Sequence, residues 1–106
     1  MPATEKAAIV TLLNNALADE WLAYYQYWVG AFVTTGPLTK KIKSELNEHA
    51  EEELKHANWL AARIIELGGV PLLHPDEWPK QTTCGYKAPT DPRGSVVLQQ
   101  NIDGEI

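Results

Sequence analysis

An all-α fold, built on one long antiparallel helical hairpin, is predicted by three observations. Two stretches of about 30 residues carry apolar residues at helical period, each bounded by Gly-Pro or Gly-Gly stop signals. A connection of only Thr35-Gly36-Pro37 separates them, too short for anything but neighbouring helices running in opposite directions. Each stripe is broken near its middle by polar residues, Glu20 in the first and Glu53 with His56 in the second.

The first helix is expected from about Thr4 to Thr34. Thr4 with Glu5 and Lys6 makes an N-terminal cap region, although the Glu or Gln three residues on that completes a capping box is missing. Its stripe runs through Ile9, Leu12, Leu13, Ala16, Leu17, Ala23, Tyr24, Tyr27 and Ala31, and Gly36-Pro37 ends it. The second helix is expected from about Leu38 to Leu67, with a stripe of Ile42, Leu46, His49, Glu53, His56, Leu60, Ile64 and Leu67. Lys41, Ser44, Glu48, Glu51, Lys55 and Asn58 occupy its solvated face. Gly68-Gly69 and Pro71 supply the stop. Each helix is about 45 Å long at the usual rise per residue.

Periodicity then fails. Five of the seven prolines fall between Gly69 and Arg93, so 69–93 reads as a long Pro-rich connection across the outside of the bundle. A last segment, Ser95 to Ile106, reads as the start of a third helix with Leu98, Ile102 and Glu105 on one face. All 106 residues form one small domain, able to bury roughly two-thirds of its unfolded surface.

Composition narrows the function classes. A net charge of −5 disfavours nucleic acid or an anionic membrane as partner, since both call for basic patches. The N-terminus lacks a signal-peptide pattern, and no run approaches the roughly 20 apolar residues needed to span a bilayer. The single cysteine, Cys84, makes no internal disulfide and fits a cytoplasmic location.

The polar interruptions carry the chemistry. Charged side chains rarely point into a core unless paired or bound to a metal. Glu53 and His56 are three residues apart, on one face of a helix and within reach of a common ion. Antiparallel pairing brings Glu20 to about the same height. Carboxylates with an imidazole suit iron, manganese or zinc, with iron favoured by the mostly carboxylate set. Taken singly, each residue has a plainer alternative. Glu20 can be a solvated stripe-edge residue or a lysine's partner, and His56 a satisfied core histidine. His49 can support the site or lie at the surface, and Trp21, Tyr24, Tyr25, Tyr27 and Trp28 can serve packing alone. Their coincidence at one level favours the metal.

The run Ala18-Asp-Glu-Trp-Leu-Ala-Tyr-Tyr-Gln-Tyr27, followed by Glu48-His-Ala-Glu-Glu-Glu-Leu-Lys-His56, resembles the first half of the ferritin-like superfamily, closest to bacterioferritins and Dps-like ferritins. The resemblance implies that Glu20 is the metal ligand of the first helix, Glu53 the bridging carboxylate and His56 the terminal imidazole. It places Tyr27 close to the metals as a candidate catalytic residue. Gln100-Asn-Ile-Asp-Gly-Glu105 resembles the start of the family's third helix, which makes Glu105 a further ligand. The implied cofactor is a di-iron centre, with manganese or zinc as other occupants. The implied reaction is ferroxidase chemistry, oxidation of Fe(II) by O2 or H2O2 for iron storage or detoxification.

The family bundle has four helices, the fourth bearing a second Glu-x-x-His, and this sequence stops at Ile106 without them. Two explanations stay open. Two chains can pair so that two copies of Glu20, Glu53 and His56 build one site at a twofold axis, giving a homodimer or larger homo-oligomer. Alternatively, the chain is a fragment of a longer protein. Two other functions are carried along: an inactive structural dimerisation module with an incomplete or structural metal site, and a rubrerythrin-type peroxidase, whose Cys-x-x-Cys pairs are absent here. Haem ligation through methionine has no support, Met1 being the only methionine.

Overall fold

The computed structural model describes residues 1–94 and residue 97. Two long helices dominate it, α1 (Ala3–Val33) and α2 (Thr39–Glu66). A 3-10 turn (Pro75–Glu77) and a single helical turn, α3 (Trp78–Gln81), follow within the connection. No strand occurs among the described residues.

The ends of the helices follow from local chemistry. Pro2 precedes α1 with no side-chain cap, so the helix starts one residue before Thr4, and Thr4 does not cap it. Proline suits that place because the missing N–H belongs to a turn that has no intrahelical acceptor. At the far end Thr34, buried, donates both its N–H (3.0 Å) and its hydroxyl (2.7 Å) to the Gly30 carbonyl. The turn then passes through Leu38, a non-glycine residue at φ 60°, ψ 18°. At the end of α2, Gly68 takes φ +79°, its N–H donates to Ile65, and Gly69 donates to Ile64. This pair of hydrogen bonds is a Schellman closure, which requires a left-handed residue where Gly68 stands.

The two helices share two apolar clusters. In the lower cluster, near the free end of the hairpin, Leu17, Ala57, Leu60 and Ile64 pack with Val10, Leu13, Ala16 and Trp21. In the upper cluster, near the turn, Tyr27, Ala31, Leu46, Ala50 and Val97 pack with Ala23, Tyr24 and Ile42. Each fully buried aliphatic side chain contributes about 1.5–3 kcal/mol of transfer free energy. Leu12, expected on the stripe, is exposed. Val10 faces Gly69 and Ile64, and two residues of helix rotate Leu12 roughly 200° away from that contact.

The connection is a strap laid along α1 rather than a loose loop. It starts at the Asn14 level, where the Asn14 side-chain amide donates to the Val70 carbonyl and accepts from Leu72 N–H, both at 3.0 Å. Trp78 stacks on Trp21, Asp19 receives the 82–84 turn, and Lys87 N–H donates to the Gln26 side chain at 3.2 Å. It ends at the hairpin turn, where Thr35 donates to Pro92 (2.7 Å) and Gly94 donates back to Thr35 (2.9 Å). Thr35 and Arg93 thereby form an isolated parallel bridge. Gly94 is wedged there: a Cβ on it would come within 2.7 Å of the Ile42 side chain. The strap thus returns the chain to the turn end, where Val97 enters the upper cluster. The expected third helix and Glu105 otherwise lie outside the described residues.

Candidate metal centre

Glu20 on α1 and Glu53 and His56 on α2 occupy the gap between the two apolar clusters. Along α1 the gap lies between Leu17 and Ala23, along α2 between Ala50 and Ala57. Ala50 and Ala57 let the helices approach closely on either side of the polar level. One ligand atom from each of the three residues lies within 4.8 Å of the other two. His56 Nδ1 is 3.4 Å from Glu20 Oε2 and 3.7 Å from Glu53 Oε2.

Two donors each bound at about 2.0–2.2 Å to one ion sit roughly 3.0–3.6 Å apart for bond angles between 90° and 120°. The His56–Glu20 spacing lies inside that range and the His56–Glu53 spacing just beyond it, with all three ligand atoms within 4.8 Å of one another. The donor set, two carboxylate oxygens and one imidazole nitrogen, fits a divalent first-row metal of borderline hardness. The two carboxylates are mostly shielded, their side chains 23% and 13% exposed, and Glu20 Oε2 is buried. The His56 side chain is 60% exposed, which departs from its expected place inside the stripe. It stands at the edge of the two-helix face, where two helices alone cannot cover it.

Of the other residues singled out, Tyr27 is buried in the upper cluster, its ring stacked on His49 with centroids 5.1 Å apart and 20° between planes. His49 therefore packs against an aromatic ring one turn before Glu53, with its Nδ1 3.9 Å from exposed Glu52. Tyr27 is not one of the three clustered ligands. Trp21 and Tyr24 flank Glu20 on its own helix and meet edge to face at 5.8 Å.

The spacing pattern gave no warning of Asp19. Its Oδ1 accepts from the Thr82 hydroxyl, Thr83 N–H (2.8 Å) and Cys84 N–H (3.0 Å), and its Oδ2 accepts from the Thr83 hydroxyl (2.6 Å). Burial alone raises its carboxyl, but the donors from Thr82, Thr83 and Cys84 outweigh burial and hold it below the ordinary carboxylate value. The residue before a metal-ligand candidate thus anchors the strap. Its only signal in the sequence is a carboxylate opposite a Thr-Thr pair some 60 positions away, which no helical period detects.

The ferritin-like domain family matches residues 10–105, nearly the whole sequence. The chain belongs to the ferritin-like family. Bacterial ferritin of Pseudomonas aeruginosa is 33% identical over 75 residues, which is 71% of this chain and 49% of that protein. Bacterioferritin of Rhodobacter capsulatus is 36% identical over 67 residues, 63% of this chain and 42% of that protein. The ferritin-like chain therefore spans about half the length of these relatives. The solved structure of the bacterioferritin-related protein from Bacteroides fragilis, a dodecameric thioferritin, superposes with a TM-score of 0.92 at 47% identity, over 94% of this chain and 60% of that one. The all-helical, ferritin-like fold is thus shared at the level of the backbone. No helix among the described residues is long and apolar enough to cross a membrane.

Proposed function

We propose that this ferritin-like chain binds iron at Glu20, Glu53 and His56 and oxidises Fe(II) with O2 or H2O2, for storage or detoxification. The observation that carries the reading is the convergence of those three ligand atoms within 4.8 Å at mid-height of the hairpin. Membership of the family and likeness to bacterial ferritins support iron as the metal.

Three ligands serve one ion, so a paired centre needs a second set. We assign that set to a second copy of the chain, whose own Glu20, Glu53 and His56 would face the first across a twofold axis. The dodecameric assembly of the Bacteroides fragilis relative supports a homo-oligomer. Glu105 remains a further ligand candidate on the family's pattern. Iron held by Glu20, Glu53 and His56 would be the substrate and would supply the electrons that reduce the oxidant. Glu20 and Glu53 neutralise its charge in a partly shielded setting, where opposite charges interact more strongly than in water. His56, the exposed ligand, marks the side on which the ion arrives. The family's pattern makes Tyr27, buried against His49, the candidate to donate a hydrogen bond or an electron.

The first test is an anaerobic Co(II) titration of metal-free protein of known oligomeric mass. Saturation at one ion per chain is expected, lost in Glu53→Ala, with the helical circular dichroism of that variant retained. Metal-dependent oxidation of Fe(II) should disappear in the same variant. Unchanged oxidation would overturn the assignment. Tight zinc binding with no oxygen uptake would overturn it in favour of a structural, redox-silent centre.

A further inference from the structure

The aromatic residues beside Glu20 are not packed at random. Tyr24 lies one helical turn after Glu20, on the same side of α1. Its ring meets Trp21 edge to face, centroids 5.8 Å apart, and Trp21 stacks on Trp78 of the strap at 5.5 Å with only 6° between the planes. Parallel stacking of two indoles delocalises a positive hole over both rings, which makes the pair easier to oxidise than an isolated one. Asp19, one residue before Glu20, clamps the 82–84 turn just beyond α3 and so holds the strap, with Trp78, against α1. The three rings are in successive contact, from Tyr24, one turn after Glu20 on α1, through Trp21 to Trp78 on the strap.

We propose that Tyr24, Trp21 and Trp78 form a one-electron donor chain serving the metal centre, a role that rests on the iron chemistry proposed above. Its use arises when a single Fe(II) is bound and hydrogen peroxide is the oxidant. Fe(II) yields one electron on becoming Fe(III), whereas the peroxide needs two. The Trp21–Trp78 pair supplies the second through Tyr24 and releases its indole N–H proton. That proton and one from solvent combine with the reduced peroxide as two waters, and a neutral indolyl radical remains on the stack. A hydroxyl radical is thereby not set free beside the centre.

The test uses the assembled chain, loaded anaerobically with one Fe(II) per two chains, treated with one equivalent of hydrogen peroxide in the presence of a nitrone spin trap. Adducts are mapped to individual tryptophans by peptide mass spectrometry. Freely diffusing radicals would mark the tryptophans in order of exposure, Trp59 (63% exposed) and Trp28 (41%) ahead of the less exposed stack. The donor chain predicts the reverse, adducts concentrated on Trp78 and Trp21. In Trp21→Phe the adduct on Trp78 should fall to its iron-free level while peroxide consumption continues. In Trp78→Phe, which leaves α1 intact, the adduct should move to Trp21. Adducts ordered by exposure, or a Trp78 adduct unchanged in Trp21→Phe, overturn the donor chain alone. Absence of iron-dependent peroxide consumption in the unaltered protein fails the iron reading, and the donor chain falls with it.

Discussion

Replacing Asp19 with alanine removes the acceptor of four hydrogen bonds at once, from the Thr82 hydroxyl, the Thr83 amide and hydroxyl, and the Cys84 amide. An average intramolecular hydrogen bond contributes about 0.5–1.5 kcal/mol net. Thr83 and Cys84 are exposed and regain water when the carboxylate is lost, so the low end applies and the total is about 2 kcal/mol. With a urea dependence of roughly 1–3 kcal/mol per molar for a domain of this size, the unfolding midpoint should fall by about 1 M. The effect has a pH signature. Because the hydrogen bonds hold the folded carboxyl below its ordinary value, Asp19 contributes its full stabilisation above the unfolded carboxylate value of about 3.9. That contribution is lost as pH falls through the lower, folded value. Urea titrations of the protein and of Asp19→Ala, followed by circular dichroism, should show a constant gap between about pH 7 and pH 5 that narrows near pH 3. A gap within a few tenths of a kcal/mol at neutral pH, or one that does not narrow in acid, would refute the clamp.

Other outcomes follow from the same structure. Ile64, fully buried in the lower cluster, should cost about 2–5 kcal/mol when cut to alanine, measured by the same urea titration. Gly69→Ala places a Cβ 2.7 Å from both Val10 methyls and 3.2 Å from Ile64, so about 1–3 kcal/mol of overpacking is expected, and a second change of Val10 to alanine should relieve it. Leu38 is exposed and holds a left-handed backbone, so Leu38→Asn should raise the urea midpoint by the equivalent of about 0.5–1 kcal/mol; a lower midpoint would show that the exposed leucine is engaged elsewhere. Glu20→Gln, which keeps shape but removes charge, should weaken Co(II) binding while leaving the helical signal intact, as read by titration and circular dichroism.

The hairpin was legible because its information is local. Stripe period, Gly36-Pro37, and Gly68-Gly69 with Pro71 determine two helices, their lengths to within a residue or two, and their antiparallel pairing. Pairing in turn aligns Glu20 with Glu53 and His56, since residues three apart on one helix share a face and a short turn leaves the partner helix little freedom of register. Fold class and the three clustered residues could therefore be read from period and spacing, whereas the family was read from the resemblance of the runs 18–27 and 48–56 to ferritin-like sequences. The path of residues 69–93 could not. A segment rich in proline has no period, and its course depends on contacts with residues some 60 positions earlier, Asn14 with Val70, Asp19 with Thr82 to Cys84, Gln26 with Lys87. Folding alone reveals that Trp78 comes to rest on Trp21, that Asp19 is a clamp, and that Leu12 and His56 stay exposed. Periodicity states which residues share a side of a helix. Whether another surface covers that side is a property of the assembled chain, and it decides which polar groups are buried, which rings touch and where an ion can be held.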